Sequence, residues 1–81
     1  MPIMRAKMRI SGIARYEGSE TLLLHAVAKN DGYPADGADE DNSFARWTPC
    51  AELQISITNP QLLGRFKEGE TYYLDFTLAG E

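Results

Sequence analysis

In three stretches of this chain apolar and polar residues alternate with a period of two, the spacing that sends successive side chains to opposite faces of a strand. Met4, Ala6, Met8 and Ile10 alternate with Arg5, Lys7 and Arg9. Ala51, Leu53, Ile55 and Ile57 alternate with Glu52, Gln54, Ser56 and Thr58, and Tyr72, Leu74, Phe76 and Leu78 with Tyr73, Asp75 and Thr77. Each stretch predicts a strand with one buried and one wet face. In the first, the apolar phase slips at Ile13. A bulge at Gly12 accounts for the slip, because one inserted residue exchanges the faces of everything that follows it.

Thr21 to Lys29 is nearly continuous in apolar residues and reads two ways. As a helix it starts from Ser19 as N-cap and stops at Gly32, with Leu and Ala as good helix formers. As a strand it pairs back on the first one through Glu17-Gly18-Ser19-Glu20, and that short Gly-containing turn favours the strand. Further on, Asn59-Pro60-Gln61-Leu62-Leu63-Gly64 places Asn at an N-cap, Pro at the first helical position and Gly past the end, which predicts one helical turn at 60–63. Lys67-Glu68-Gly69-Glu70 predicts a polar turn before the last strand. The expected fold class is mostly β: a small antiparallel half-open barrel or sandwich of about four or five strands with one short helical turn. Its expected core is Met8, Ile10, Leu22, Leu24, Val27, Leu53, Ile55, Ile57, Leu62, Phe66, Tyr72, Leu74 and Phe76.

The 81 residues make one β domain spanning 1–81, with a long acidic loop at about 30–47. Loops beyond about 12–15 residues are uncommon in compact domains and are usually functional, disordered or ordered by a partner. Phe44 and Trp47 at the end of this one need somewhere to bury, which argues against plain disorder. Net charge is −4, and Asp31, Asp36, Asp39, Glu40 and Asp41 all fall in that loop, while Arg5, Lys7, Arg9 and Arg15 precede the first acid, Glu17. General nucleic-acid binding is disfavoured, since the bulk field repels phosphate. The single Cys50 excludes an intramolecular disulfide and a cysteine-cluster metal site, and a lone thiol suits a reducing interior. Arg5, Lys7 and Arg9 interrupt the apolar start, so no signal peptide is read, and no apolar run approaches the roughly 20 residues of a membrane span.

Two groups of residues suggest binding chemistry. Phe44-Ala45-Arg46-Trp47, with Tyr33 upstream, sets a guanidinium beside aromatics that can stack a nucleobase while Arg46 grips a phosphate. Arg65 and Lys67 could join them across a barrel mouth. The plainer alternative makes Phe44 and Trp47 packing anchors and pairs Arg46 with an acid of its own loop. Asp36, Asp39, Asp41 and Asn42 supply oxygen donors of the kind calcium takes, but their spacing departs from the calcium-loop pattern, so no metal is expected and the three acids are only weak candidates. His25 lies in an apolar strand, and no recognisable spacing ties a nucleophile or an orienting acid to it, so it reads as a structural histidine. No phosphate-loop, dinucleotide, zinc or nucleophile-elbow motif occurs, and neither enzyme activity nor a cofactor is expected. A thin core, strand edges and an exposed Tyr73 on the last strand favour a homo-oligomer.

Met4-Arg5-Ala6-Lys7-Met8, Ser43-Phe44-Ala45-Arg46-Trp47-Thr48-Pro49, Ile57-Thr58-Asn59-Pro60, Gly64-Arg65-Phe66-Lys67-Glu68-Gly69 and Tyr72-Tyr73-Leu74-Asp75-Phe76-Thr77 resemble, over nearly the whole chain, a group of small tailed-bacteriophage proteins for which no activity is established. The resemblance implies a phage origin and expression in the host bacterial cytoplasm, and it brings no catalytic or binding residues with it. Two expectations follow. The first is a non-enzymatic viral accessory protein with an anti-defence role, which binds a host factor or sequesters a nucleotide immune signal as a homo-oligomer. The alternative is a virion component such as a capsid decoration or head–tail assembly protein, its acidic loop suited to a basic docking surface.

Overall fold

A computed structural model describes residues 3–30 and 32–80; Asp31 of the acidic loop lies outside them. Four strands, β1 (Met4–Tyr16), β2 (Ser19–Ala26), β3 (Glu52–Ile57) and β4 (Thr71–Phe76), form one antiparallel sheet in the order β3-β2-β1-β4. The fold is mostly β. The ambiguous second stretch is a strand because it has a ladder on both sides, to β1 and to β3. Two full sets of backbone hydrogen bonds and a buried leucine pair outweigh helix propensities of a few tenths of a kcal/mol per residue. The bulge falls where the phase slips. Ile10 faces Leu24 while Gly12 faces Leu23, so Ser11 is the extra residue and Ile10 and Ile13 both reach the apolar face.

That face holds the core. Ala6, Met8 and Ile10 of β1, Leu22 and Leu24 of β2 and Ile57 of β3 are buried, with Phe44, Leu53, Leu63, Phe66 and Leu74 packed against them. Glu20 lies on the same face at only 2% exposure. Its carboxylate accepts from Arg15 Nε at 3.2 Å and from the Gly64 N–H at 3.0 Å, which ties the Asn59–Gly64 segment to the sheet. That segment is a run of turns: the Leu62 N–H donates to Asn59 O at 2.9 Å, the Arg65 N–H donates to Leu62 O at 3.2 Å, and Asn59 Oδ1 accepts from the Gln61 N–H at 3.0 Å. Asn59 does cap it, but no helical turn forms among the described residues; so short a segment cannot establish a ladder of i→i+4 bonds.

The four strands make a single open layer, with β3 and β4 as its edges, and neither a barrel closure nor a second sheet occurs among the described residues. The Cα extents of 48 × 33 × 15 Å describe a slab. This openness explains the main departure from the expected core. Ile55, Leu62, Tyr72 and Phe76 are exposed, because edge strands and turns of a one-layer sheet have nothing stacked above them. No described helix is long and apolar enough to cross a membrane.

Candidate functional site

The acidic loop is built onto β1 where β2 runs out. Beyond the Met8–Ala26 pair, Val27 N–H still donates to Lys7 O at 2.8 Å, and then the loop takes over the strand's role. Asn42 Oδ1 accepts from the Lys7 N–H at 2.8 Å; the Ser43 N–H donates to Arg5 O at 3.0 Å and Ser43 Oγ accepts from the Arg5 N–H at 2.8 Å. Asn42 is fully buried, and its Nδ2 donates to Val27 O at 2.7 Å and to Asp39 Oδ2 at 3.1 Å. Asp39 Oδ1 in turn accepts from the backbone N–H groups of Asp41 at 2.9 Å and Asn42 at 3.1 Å, and Oδ2 from that of Lys29 at 3.3 Å. Burial alone would push the Asp39 carboxyl up, but the donors from Asn42, Lys29 and Asp41 together outweigh it and hold it below its ordinary value.

On the polar face of the sheet the loop is tied down by charge. Asp41 sits 3.4 Å from Lys7 Nζ and accepts from the Tyr73 hydroxyl at 3.1 Å. Arg5 grips Asp75 with Nε at 2.7 Å and Nη2 at 3.0 Å, and its guanidinium lies 4.4 Å over the Tyr73 ring. The Arg5 bond holds the Asp75 carboxyl below its ordinary value.

The tip of the loop carries Trp47. An isolated bridge between Ala38 and Arg46 brings its two arms together, and the Trp47 N–H donates to Gly37 O at 2.7 Å. Trp47 has φ 61°, the left-handed region that a bulky side chain avoids. Its indole lies on Gly37, where an added Cβ would come within 2.5 Å of the ring, and Tyr33 meets it edge-on at 5.7 Å. Even so, Trp47 is 51% exposed. The Tyr33 hydroxyl is buried with no hydrogen-bond partner, and the Arg46 side chain is exposed with no ion pair or hydrogen bond among the described residues. Beside them lies an open hollow of about 470 Å³ bordered by Asp39, Glu40, Ser43, Phe44 and Arg46.

Of the six expected ligand-binding residues, Tyr33, Arg46 and Trp47 share this platform. Phe44 turns inward onto the sheet core, the packing role that the plainer alternative gave it. Arg65 and Lys67 do not join them. Their segment attaches along β1 from Arg15, whose Nη2 donates to Phe66 O at 3.1 Å, to Ile10, whose carbonyl accepts from the Gly69 N–H at 2.9 Å and whose N–H donates to Glu70 O at 2.9 Å, whereas the loop attaches at Arg5 and Lys7. At about 3.3 Å per strand residue the nearest of these attachments, Ile10 and Lys7, lie roughly 10 Å apart, and no hydrogen bond or ion pair joins Arg65 or Lys67 to Tyr33, Arg46 or Trp47 among the described residues. The sheet stays open, so no barrel mouth draws the two connections together.

The three acids considered for metal are committed separately. Asp36 accepts from the Ala38 N–H at 3.1 Å, Asp39 organises the loop backbone, and Asp41 faces Lys7 and Tyr73. No group of three or more His, Cys, Asp or Glu that could hold a metal occurs among the described residues.

His25 has partners that the sequence spacing did not reveal. The ring Nδ1 is 2.7 Å from Ser11 Oγ and Nε2 is 3.1 Å from Glu52 Oε2, so one residue from each of three adjacent strands lies in a row. The signal was available in the register: pairing outward from the Gly18 turn and allowing the bulge brings Ser11 beside the Leu23–His25 segment, and His25 stands directly opposite Glu52. Ser11 Oγ also lies 3.2 Å from Leu23 O. With Nε2–H donating to the Glu52 carboxylate, Nδ1 is left to accept from the Ser11 hydroxyl, an arrangement that orients the ring and pins the strands. Ser11 and His25 border neither the loop hollow nor the apolar face.

No family model, no curated protein and no solved structure matches this chain.

Proposed function

We propose that this chain is a non-enzymatic accessory protein of a tailed phage that binds a host protein in the bacterial cytoplasm, in an anti-defence role and as a homo-oligomer. The phage origin rests on the sequence resemblance. The binding role is carried by Trp47, whose left-handed backbone costs about 1–2 kcal/mol and whose indole stays half exposed outside the core. Strain that adds nothing to the core is explained if the side chain is held ready for contact with another molecule. Its neighbours Tyr33 and Arg46 complete a trio of the residue types that dominate protein–protein hot spots. The net charge of −4 and the acids of this loop, Asp36 and Glu40 among them, favour a basic protein surface over a phosphate, and no hydrogen bond or ion pair brings Arg65 or Lys67 to the platform among the described residues. Sequestering a nucleotide signal is thus the less supported form of the same role.

The test is affinity purification of the tagged protein from infected cells, wild type against Trp47→Ala and Arg46→Ala, with folding checked by circular dichroism. A host protein held in fixed ratio by the wild type and lost from both variants is the expected result. Retention by Trp47→Ala refutes the assignment. The alternative, a virion component, draws its support from the uncovered apolar face and the two free strand edges. A copy number locked to the major capsid protein in purified particles would establish it instead.

A further inference from the structure

We infer that the open apolar face of the sheet receives a second copy of this chain, the two sheets packing face to face into one sandwich; this rests on the homo-oligomer proposed above and names its surface. The loop covers one end of the face with Phe44 and the Asn59–Gly64 segment covers the other with Leu63. Between them runs a trough of about 290 Å³, walled by Leu53, Ile55 and Ile57 of β3 and by Tyr72 and Leu74 of β4. At Leu53 and Leu74 it continues into a second hollow of about 140 Å³ that ends on Phe76.

A sheet that buries one face needs a second layer about 10 Å away. The described residues supply that layer only at the two ends. Ile55, Leu62, Tyr72 and Phe76 keep between about a third and a half of their surface exposed. With the half-buried Leu53, Leu74 and Phe66 they present roughly 500 Å² of apolar surface, on the scale of about 150–250 Å² per large aromatic side chain. Two such faces in contact remove about 1,000 Å² in total, the threshold at which an interface becomes specific. One layer thus has the right amount of surface for one copy of itself, at the size of a weak, reversible dimer.

Among the described residues the charges bordering this face have partners: Arg15 and Glu20 at its end pair with each other, and Glu52, beside the second hollow, is bonded to His25. The Tyr72 hydroxyl already donates to Glu70 Oε1 at 2.8 Å, so its ring can be covered without stranding a polar atom. The polar face, in contrast, is laced by the Arg5–Asp75, Lys7–Asp41 and His25–Glu52 pairs and presents no comparable apolar area.

Sedimentation equilibrium over low to high micromolar protein tests this, with the wild type beside Ile55→Glu and Phe76→Glu. Both positions are exposed in a single copy, so the fold should survive, which far-UV circular dichroism checks. Fluorescence of an apolar-patch dye on the wild type supplies a readout independent of the variants and should fall along the same concentration curve as the dimer forms. The expected result is a monomer–dimer equilibrium weakened at least about tenfold by either charge, because each would lie unpaired in the covered face. A dimer indifferent to both charges but broken by Ser56→Pro on the β3 edge would overturn this surface in favour of edge pairing, and leave the homo-oligomer standing. A monomer throughout would overturn both and leave the face to a different protein. Trp47→Ala lies off this face and should not change the dimer, so loss of host binding and loss of dimerisation are read separately.

Discussion

Asn42 is a single side chain standing where a strand should be, and its replacement has a calculable effect. Asn42→Ala strands the Lys7 N–H and the Val27 C=O, both bonded to this amide at 2.8 and 2.7 Å, and removes one donor from Asp39. At about 1–3 kcal/mol for each buried group left unpaired, and with water recovering part of it, the loss should be about 3 kcal/mol. Asn42→Asp is nearly isosteric and should be worse. It keeps the acceptor for Lys7 but turns the donor into an oxygen facing the Val27 carbonyl and the Asp39 carboxylate, for a loss of about 4 kcal/mol at pH 7. Those neighbours raise the new carboxyl's folded pKa above its unfolded value of about 3.9, so the folded state holds the proton more tightly. Stability of Asn42→Asp therefore rises as pH falls from 7 through that raised value, and the recovery is complete only near the unfolded one. Asn42→Ala has no such recovery. Urea unfolding followed by circular dichroism at fixed protein concentration, at about pH 7 and about pH 5, measures all of this. An Asn42→Ala variant within about 0.5 kcal/mol of wild type, or an Asn42→Asp variant equally stable at both pH values, would refute this role for Asn42.

Three further outcomes are expected. Gly37→Ala should cost about 1–2 kcal/mol and shift the emission of the only tryptophan, because its Cβ would come within 2.5 Å of the Trp47 ring at a φ of 74°. Asp39 is depressed in the fold, so its contribution is present above the ordinary carboxylate pKa of about 4 and lost as pH falls through the lower folded value; a Trp47 fluorescence titration should show the loop loosening in that acid range, and Asp39→Asn should abolish the transition. Ile10→Ala, at a position 1% exposed, should cost about 3–5 kcal/mol in chemical denaturation, whereas Ile55→Ala, 46% exposed, should cost about 1 kcal/mol or less in dilute monomer.

How much of this was legible in the chain depends on whether local pattern or tertiary pairing decides the feature. The strands, a bulge within one residue of Gly12 (the extra residue is Ser11), the Gly69 turn and the exposed Tyr73 follow from alternation and turn chemistry, which are local. The openness of the sheet was not legible, because the same apolar alternation at Ile55, Tyr72 and Phe76 serves a barrel, a sandwich or an uncovered face equally well. The difference reaches the candidate site: a barrel mouth would bring Arg65 and Lys67 toward Arg46, and in the open sheet no hydrogen bond or ion pair joins them among the described residues. Asp39 and Asn42 carry oxygens of the kind a cation takes, but those oxygens accept from backbone N–H groups. The Asx habit of bonding backbone donors two or three residues on was the better guide there. The Ser11–His25–Glu52 row needed a register across three strands, which spacing along the chain does not contain.

The contact between Asn42 and β1 also sets how this protein ages. An asparagine followed by serine is a pair in which the next backbone nitrogen can attack the side-chain carbonyl carbon, expelling ammonia and closing a cyclic imide that water then opens to aspartate or its isomer. Here that nitrogen, on Ser43, donates its hydrogen to Arg5 O, and the Asn42 amide is held by Lys7, Val27 and Asp39. While the chain is folded the reactants cannot meet. Each unfolding exposes them, and each reaction writes the Asn42→Asp change into the molecule for good. Reversible opening is thereby converted, one molecule at a time, into permanent loss, so the useful lifetime of the protein is set by how often it opens.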